Sequence, residues 1–188
     1  MSKTFLYSDP HFSHHGVCKF TNFDGSKMRP WTNPDDMDAE LIQRFNDTVS
    51  EKDKCYVLGD VAINRRGLDV LKQIKCKNLV LIKGNHDIFR LNEYTPYFKD
   101  IRSYHVLNGM ILSHIPLHPN SLYRFGCNIH GHLHSNRVMK RTWYGKKVID
   151  PNYFSVCVEQ IGFKPIDFDE VCAKIESQGG TTGFKQHR

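Results

Sequence analysis

Leu79-Val80-Leu81-Ile82-Lys83-Gly84-Asn85-His86-Asp87 is the stretch that decides how this chain folds. Four β-favouring apolar residues closed by polar and glycine punctuation read as a buried strand. The residues behind it, Asn85, His86 and Asp87, carry side chains able to bind a metal. The same arrangement recurs on both sides. Phe5-Leu6-Tyr7-Ser8 runs into Asp9 and His11, and Cys55-Tyr56-Val57-Leu58 runs into Gly59-Asp60. Further on, Met110-Ile111-Leu112 leads to His114, and Cys127-Asn128-Ile129 leads to His130-Gly131-His132-Leu133-His134. In open α/β sheets, ligands sit beyond the carboxyl ends of the strands. Five strand ends supplying Asp, His, Asn and His-x-His therefore predict one shared metal centre and a metal-dependent hydrolase.

Helix signals fall between these strands. Asn33-Pro34-Asp35-Asp36 combines an N-cap, a proline at the first helical position and acids in the first turn. Met37, Leu41, Phe45 and Val49 then form one apolar stripe. A shorter helix is expected over 66–75 and a third from Asp167 to Glu176, with late strands at 147–149 and 154–158. The pattern predicts a mixed α/β domain over 1–178, with a flexible tail at 179–188 that has only Phe184 to bury.

The 188 residues and 21.9 kDa suit a single domain. A net charge of +6 favours an anionic partner without naming one. No secretory pattern opens the chain, and no apolar run approaches the ~20 residues of a membrane span. Six cysteines show no Cys-x-x-Cys pair, and Cys55, Cys127 and Cys157, inside strand-like runs, read as small buried thiols, as expected of a reducing, cytoplasmic protein.

Taken in order, Asp9-Pro10-His11, Gly59-Asp60, Gly84-Asn85-His86-Asp87, His114 and Gly131-His132-Leu133-His134 resemble the motifs of the calcineurin-like metallophosphoesterases, in particular the small bacterial and phage members. The resemblance implies two facing mixed β-sheets flanked by helices, an αββα sandwich with its metals at one rim. It also implies a ligand set: Asp9, His11 and His134 on one metal, Asn85, His114 and His132 on the other, and Asp60 bridging both. The implied reaction is hydrolysis of a phosphate mono- or diester, a nucleotide-like one being favoured, by a metal-bridging hydroxide. His86 would assist the leaving oxygen and Asp87 would orient the His86 ring. His130 is expected to pack or hydrogen-bond as a neighbour of the site.

Carboxylate and imidazole ligands suit divalent transition metals, Mn foremost and Fe, Zn, Co or Ni as alternatives. Two such ions bring four positive charges and Asp9 and Asp60 remove two, so the remainder attracts phosphate. Arg29, His14 and His15 are candidate substrate contacts. Residues 137–147, rich in cations and aromatics, read equally as a nucleotide- or single-strand-binding segment and as a solvated hairpin turning at Gly145, its long side chains covering apolar surface. His105, His118 and His187 lie outside every motif. Val61-Ala62-Ile63-Asn64 after Gly59-Asp60 lacks the continuation typical of the serine/threonine protein phosphatases, which argues against that activity. Two rival functions are a nuclease acting on single-stranded or short nucleic acid and a non-catalytic metal-binding scaffold.

Overall fold

The computed structural model describes residues 2–185, so His187 and the end of the tail lie outside the described residues. Two mixed sheets face each other. The first has the order β11-β1-β2-β3-β4, with β1 (Thr4–Tyr7), β2 (Lys54–Val57), β3 (Leu79–Ile82) and β4 (Asp100–Arg102) parallel and β11 (Ile166–Asp167) antiparallel to β1. The second has the order β10-β7-β6-β5: β6 (Met110–Ser113), β7 (Asn128–His130) and β10 (Tyr153–Ser155) run parallel, and β5 (Tyr104–Leu107) is antiparallel to β6. A separate two-stranded ribbon joins β8 (Met139–Arg141) to β9 (Lys147–Ile149).

The period-two alternation of a strand explains how the sheets pack. In the first sheet Leu6, Tyr56, Val80 and Ile82 turn inward, meeting Met110, Leu112 and Ile129 of the second. Their neighbours Phe5, Tyr7, Cys55, Val57, Leu79 and Leu81 turn outward against the helices. Helix α1 (Pro34–Thr48) starts where expected: Asn33 accepts from the Asp36 amide, Pro34 opens the first turn, and Met37, Leu41, Phe45 and Val49 are buried. Helix α2 (Arg65–Val70), capped by Asn64, continues as a 3-10 turn over Leu71–Gln73. Helix α3 (Leu91–Tyr94) is a single turn, and α4 (Phe168–Ser177), capped by Asp167, sends Phe168, Val171 and Ile175 into the core between the sheets.

The two sheets meet at the rim where the motifs end. Beyond β1, Ser8 forms a parallel bridge with Cys157 of the segment leaving β10, and the Val158 amide donates to the Ser8 carbonyl at 3.0 Å. Up to Lys185 the expected tail lies against the body: Phe184 pairs antiparallel with Phe125, and the Lys185 amide donates to the Arg124 carbonyl at 3.0 Å. No helix among the described residues is long and apolar enough to cross a membrane.

Candidate metal centre

The five strand ends do converge. Asp9, His11 and His134 have ligand atoms within 4.8 Å of one another, and Asp60, His114 and His132 form a second such group. Asp60 lies between the groups, its Oδ2 at 3.6 Å from His11 Nε2 and 3.3 Å from His114 Nε2. Asn85 joins the second group through Oδ1, 2.9 Å from His114 Nε2.

The backbone pays for this convergence with unusual conformation. Of the eight non-glycine residues at positive φ among those described, five are Asp9, His11, Asp60, His132 and His134. Such geometry costs energy outside glycine and concentrates at functional sites. β7 stops at His130, so the His-x-His-x-His run is not a strand with three histidines on one face. His132 and His134 instead stand on a loop with left-handed turns. His130 is buried, sits 2.8 Å from the Gly131 carbonyl through Nδ1, and is pushed down to about 4 chiefly by burial. It is a core neighbour, as expected. Two glycines let the loops approach this closely. A Cβ on Gly131 would lie 2.1 Å from Ser8 Oγ and 2.4 Å from Asp9 Oδ2, and one on Gly84 would lie 2.2 Å from Asp60 Oδ1.

The donors fit divalent cations. Asp9 Oδ2 is occupied by Ser8 Oγ at 2.6 Å, the His132 amide at 2.9 Å and the Cys157 thiol at 3.3 Å. Its Oδ1 is buried without a hydrogen-bond partner, as are both ring nitrogens of His11. Buried polar atoms are almost always satisfied, and orphaned ones clustered on ligand-type residues fit a bound ion. His114 Nδ1 lies 2.7 Å from the Leu58 carbonyl, an arrangement that places the proton on Nδ1 and leaves Nε2 facing the group.

Electrostatics follow from the same contacts. Burial works against the Asp60 charge, but the hydrogen bond and charge of His114, with the His86 amide, hold its carboxyl at about 2. Burial also opposes a charged His114, yet Asp60 and Asp9 raise it to about 9. His11, whose desolvation dominates, is held well below the ordinary imidazole range.

Three expectations need correction or extension. Arg29 is not a substrate contact. It is 1% exposed, and its guanidinium is spent on the Asp9 carbonyl (2.7 Å), the Pro10 carbonyl (2.8 Å) and Glu159. Asp87 does not orient His86. Its carboxylate accepts from the backbone amides of Asp60, Val61 and Gly84 at 2.8–2.9 Å, clamping two motif loops together. The residue missed altogether is Glu159. One of its oxygens accepts from Arg29 Nε at 2.8 Å and meets His134 Nδ1 at 3.0 Å, turning His134 Nε2 toward the first group. No motif signals it, because it arrives through the Ser8–Cys157 bridge between the sheets.

The remaining candidates sit around the rim. His86 is exposed, with its ring 5.5 Å from that of His11. His14 is half-buried, its ring also 5.5 Å from His11, whereas His15 is exposed. His105 lies away from the centre, stacked on Tyr56 with its Nε2 3.0 Å from the phenol, and His118 accepts from the Asn120 amide.

A mixed α/β sandwich whose sheets bring two carboxylate–histidine groups to one rim defines a protein with a possible dinuclear metal centre. Sequence comparison then places it: the chain belongs to the family of the uncharacterized protein MJ1445 of Methanocaldococcus jannaschii, with 32% identity covering 94% of this chain and 93% of that one. No protein-family model matches it. The fold is shared with the protein of unknown function AQ665 from Aquifex aeolicus, at TM-score 0.66 and 20% identity, covering 93% of this chain and all of that one. The Pseudomonas putida nuclease MPE overlaps at TM-score 0.43 and 20% identity, over 78% of this chain and 67% of the nuclease.

Proposed function

We propose that this chain is a dinuclear metal-dependent phosphoesterase of the calcineurin-like superfamily, acting on a phosphate diester or monoester with a nucleotide-like substrate favoured. The observation that carries the reading is the pair of ligand groups with Asp60 lying between them, and with Asp9 Oδ1 and both His11 nitrogens buried without hydrogen-bond partners. Asp9, His11 and His134 would hold one ion, Asn85, His114 and His132 the other, and Asp60 would serve both; Mn is the favoured metal. Bound divalent ions would supply Lewis-acid charge for the phosphoryl oxygens and for the negative charge that develops in displacement.

The chain's own residues supply the rest. His86 is fixed at the backbone, where its amide donates to Asp60 Oδ1 at 2.8 Å, while its ring stays exposed beside His11. That ring is free to donate a proton to a leaving oxygen. Asp87 holds the Gly84 and Asp60 loops in register, and Glu159 keeps His134 in its ligating tautomer. Six unpaired cysteines, five of them buried, suit a reducing cytoplasmic setting.

The test is metal content and a substrate panel. Purified protein stripped of metal and reloaded with Mn(II) should bind about two ions per chain. It should then hydrolyse bis-p-nitrophenyl phosphate, p-nitrophenyl phosphate or nucleotide esters only when loaded. A chain that binds no ion tightly and turns over none of these would be a scaffold instead.

A further inference from the structure

Three residues after His134 the chain leaves the metal rim at Arg137 and forms the β8–β9 ribbon. All three residues of β8 are exposed, and in β9 only Val148 is partly covered. Trp143 at the turn is 96% exposed and Tyr144 is 62% exposed, so neither ring adds to the core. Their centroids lie 5.4 Å apart at nearly right angles. Arg137, Lys140, Arg141, Lys146 and Lys147 lie along the ribbon, and the carboxylate contact among the described residues is Lys140 with Asp150 at 3.9 Å. Long side chains covering apolar surface do not account for the tip, where both aromatic rings stand in solvent.

The ribbon is nevertheless held in shape. The Thr142 amide donates to the Lys146 carbonyl at 2.8 Å, the Lys146 amide to Thr142 Oγ1 at 3.0 Å, and Gly145 takes the positive φ of the turn. Its root is tied to the metal loop, since Gln160 Nε2 donates to the His134 carbonyl at 2.9 Å and to the Asn136 carbonyl at 3.4 Å.

We propose that the 137–149 ribbon is a binding arm for single-stranded polynucleotide, delivering its phosphodiester backbone to the rim at His134. The proposal rests on the phosphoesterase reading and names its substrate class. Five cations with almost no local counter-charge complement a polyanion and release its counterions on binding. Two exposed aromatic rings at the tip complement bases, but only unpaired bases offer their faces for stacking. A duplex would meet the cations alone. A lipid surface would want a contiguous apolar tip, whereas here Thr142, Gly145 and the lysines flank the two rings.

Binding is measurable without catalysis, which separates this inference from the enzyme reading. Full-length protein in EDTA would be titrated into fluorescein-labelled oligothymidylate and oligouridylate of roughly 20 nucleotides, longer than a typical single-strand site. A duplex of equal length and phosphatidylserine vesicles would serve as competitors. Single strands should bind best, with affinity falling steeply as salt rises. Trp143→Ala should weaken binding by about 5- to 150-fold, one lost base stack. Lys146→Glu/Lys147→Glu should weaken it further and flatten the salt dependence. Both sites are exposed, and unchanged thermal melting would confirm that the variants fold. With Mn(II) restored, the ratio of oligonucleotide cleavage to bis-p-nitrophenyl phosphate hydrolysis should drop in both variants. Equal binding of single strand and duplex, single-strand binding that ignores both variants, or capture by vesicles in preference to oligonucleotide would overturn the arm. Variant-sensitive binding by a chain that hydrolyses no ester would overturn the enzyme reading and leave the arm standing.

Discussion

Replacing Glu159 by Gln should loosen one metal and weaken the fold, and the two effects can be separated. The same Glu159 oxygen serves Arg29 Nε at 2.8 Å, Arg29 Nη2 at 2.7 Å and His134 Nδ1 at 3.0 Å. A glutamine keeps the shape and can keep an acceptor oxygen at that position, but it removes the negative charge that gathers three donors on it. His134 then keeps only a neutral and weaker partner for its Nδ1, and such outer contacts are worth about 10–100-fold in metal affinity, roughly 1.4–2.8 kcal/mol. Arg29 loses its buried counterion, and breaking a buried pair from one side costs about 3–5 kcal/mol. The lower end is expected here, because the Asp9 and Pro10 carbonyls still accept from the guanidinium. Calorimetric titration of metal-free protein with Mn(II) reads the first loss and urea denaturation reads the second. Arg29→Met/Glu159→Gln removes both charges and should cost less than the sum of the two single losses, without regaining the metal affinity. Wild-type Mn(II) affinity in Glu159→Gln would refute the tautomer argument, and strictly additive stability losses in the double variant would refute the ion-pair argument.

Asp60→Asn should reduce occupancy of both metals together, since one carboxylate oxygen lies 3.6 Å from His11 and 3.3 Å from His114; elemental analysis showing only one ion lost would remove it from the shared position. His86→Ala should keep the fold and both ions and lose about 10²–10⁴-fold in turnover. The deficit should be larger on nucleoside esters than on nitrophenyl esters, whose leaving group needs no proton, and equal deficits would make His86 a phosphate-positioning residue. Asp53, whose carboxylate is held below its ordinary range by the Lys3 amide and by Ser50, should cost about 1–3 kcal/mol when changed to Ala at neutral pH. Because its folded-state value is depressed, that contribution is complete above the unfolded value of about 3.9 and fades as pH falls through the lower folded value. Chemical denaturation of both proteins from neutral to acid pH should therefore show the gap closing, and a constant gap would mean that the charge is not the source.

The strands that carry the motifs were legible because buried parallel strands announce themselves as continuous apolar runs. Each ligand follows its run within a few residues, so locating β1, β2, β3, β6 and β7 located the site. The edges were harder to read. Asp100–Arg102 and Ile166–Asp167 are too short and polar to show any period, and Tyr104–Leu107 has its antiparallel partner only once β6 is in place. Glu159 was invisible for a related reason: its position depends on Ser8 meeting Cys157 across the chain, a pairing that no local pattern encodes.

The corrections to Arg29 and Asp87 share one physical cause. Five of the candidate ligands stand on backbone in left-handed conformation, and the loops that carry them turn their amides and carbonyls out of any sheet ladder. Buried backbone groups left without partners are costly, so something must pair with them. Asp87 accepts from three amides, on Asp60, Val61 and Gly84, whereas Arg29 donates to two carbonyls, on Asp9 and Pro10. An anion for the N–H groups and a cation for the C=O groups is the chemical pairing those loops require. Arg29 is neutralised in turn by Glu159, which passes the restraint on to His134. A charged residue beside a metal motif reads from sequence as a reactive group. In this fold two of them are engaged in holding the strained backbone, and under the proposed function the task of meeting the substrate would fall to the exposed ring of His86.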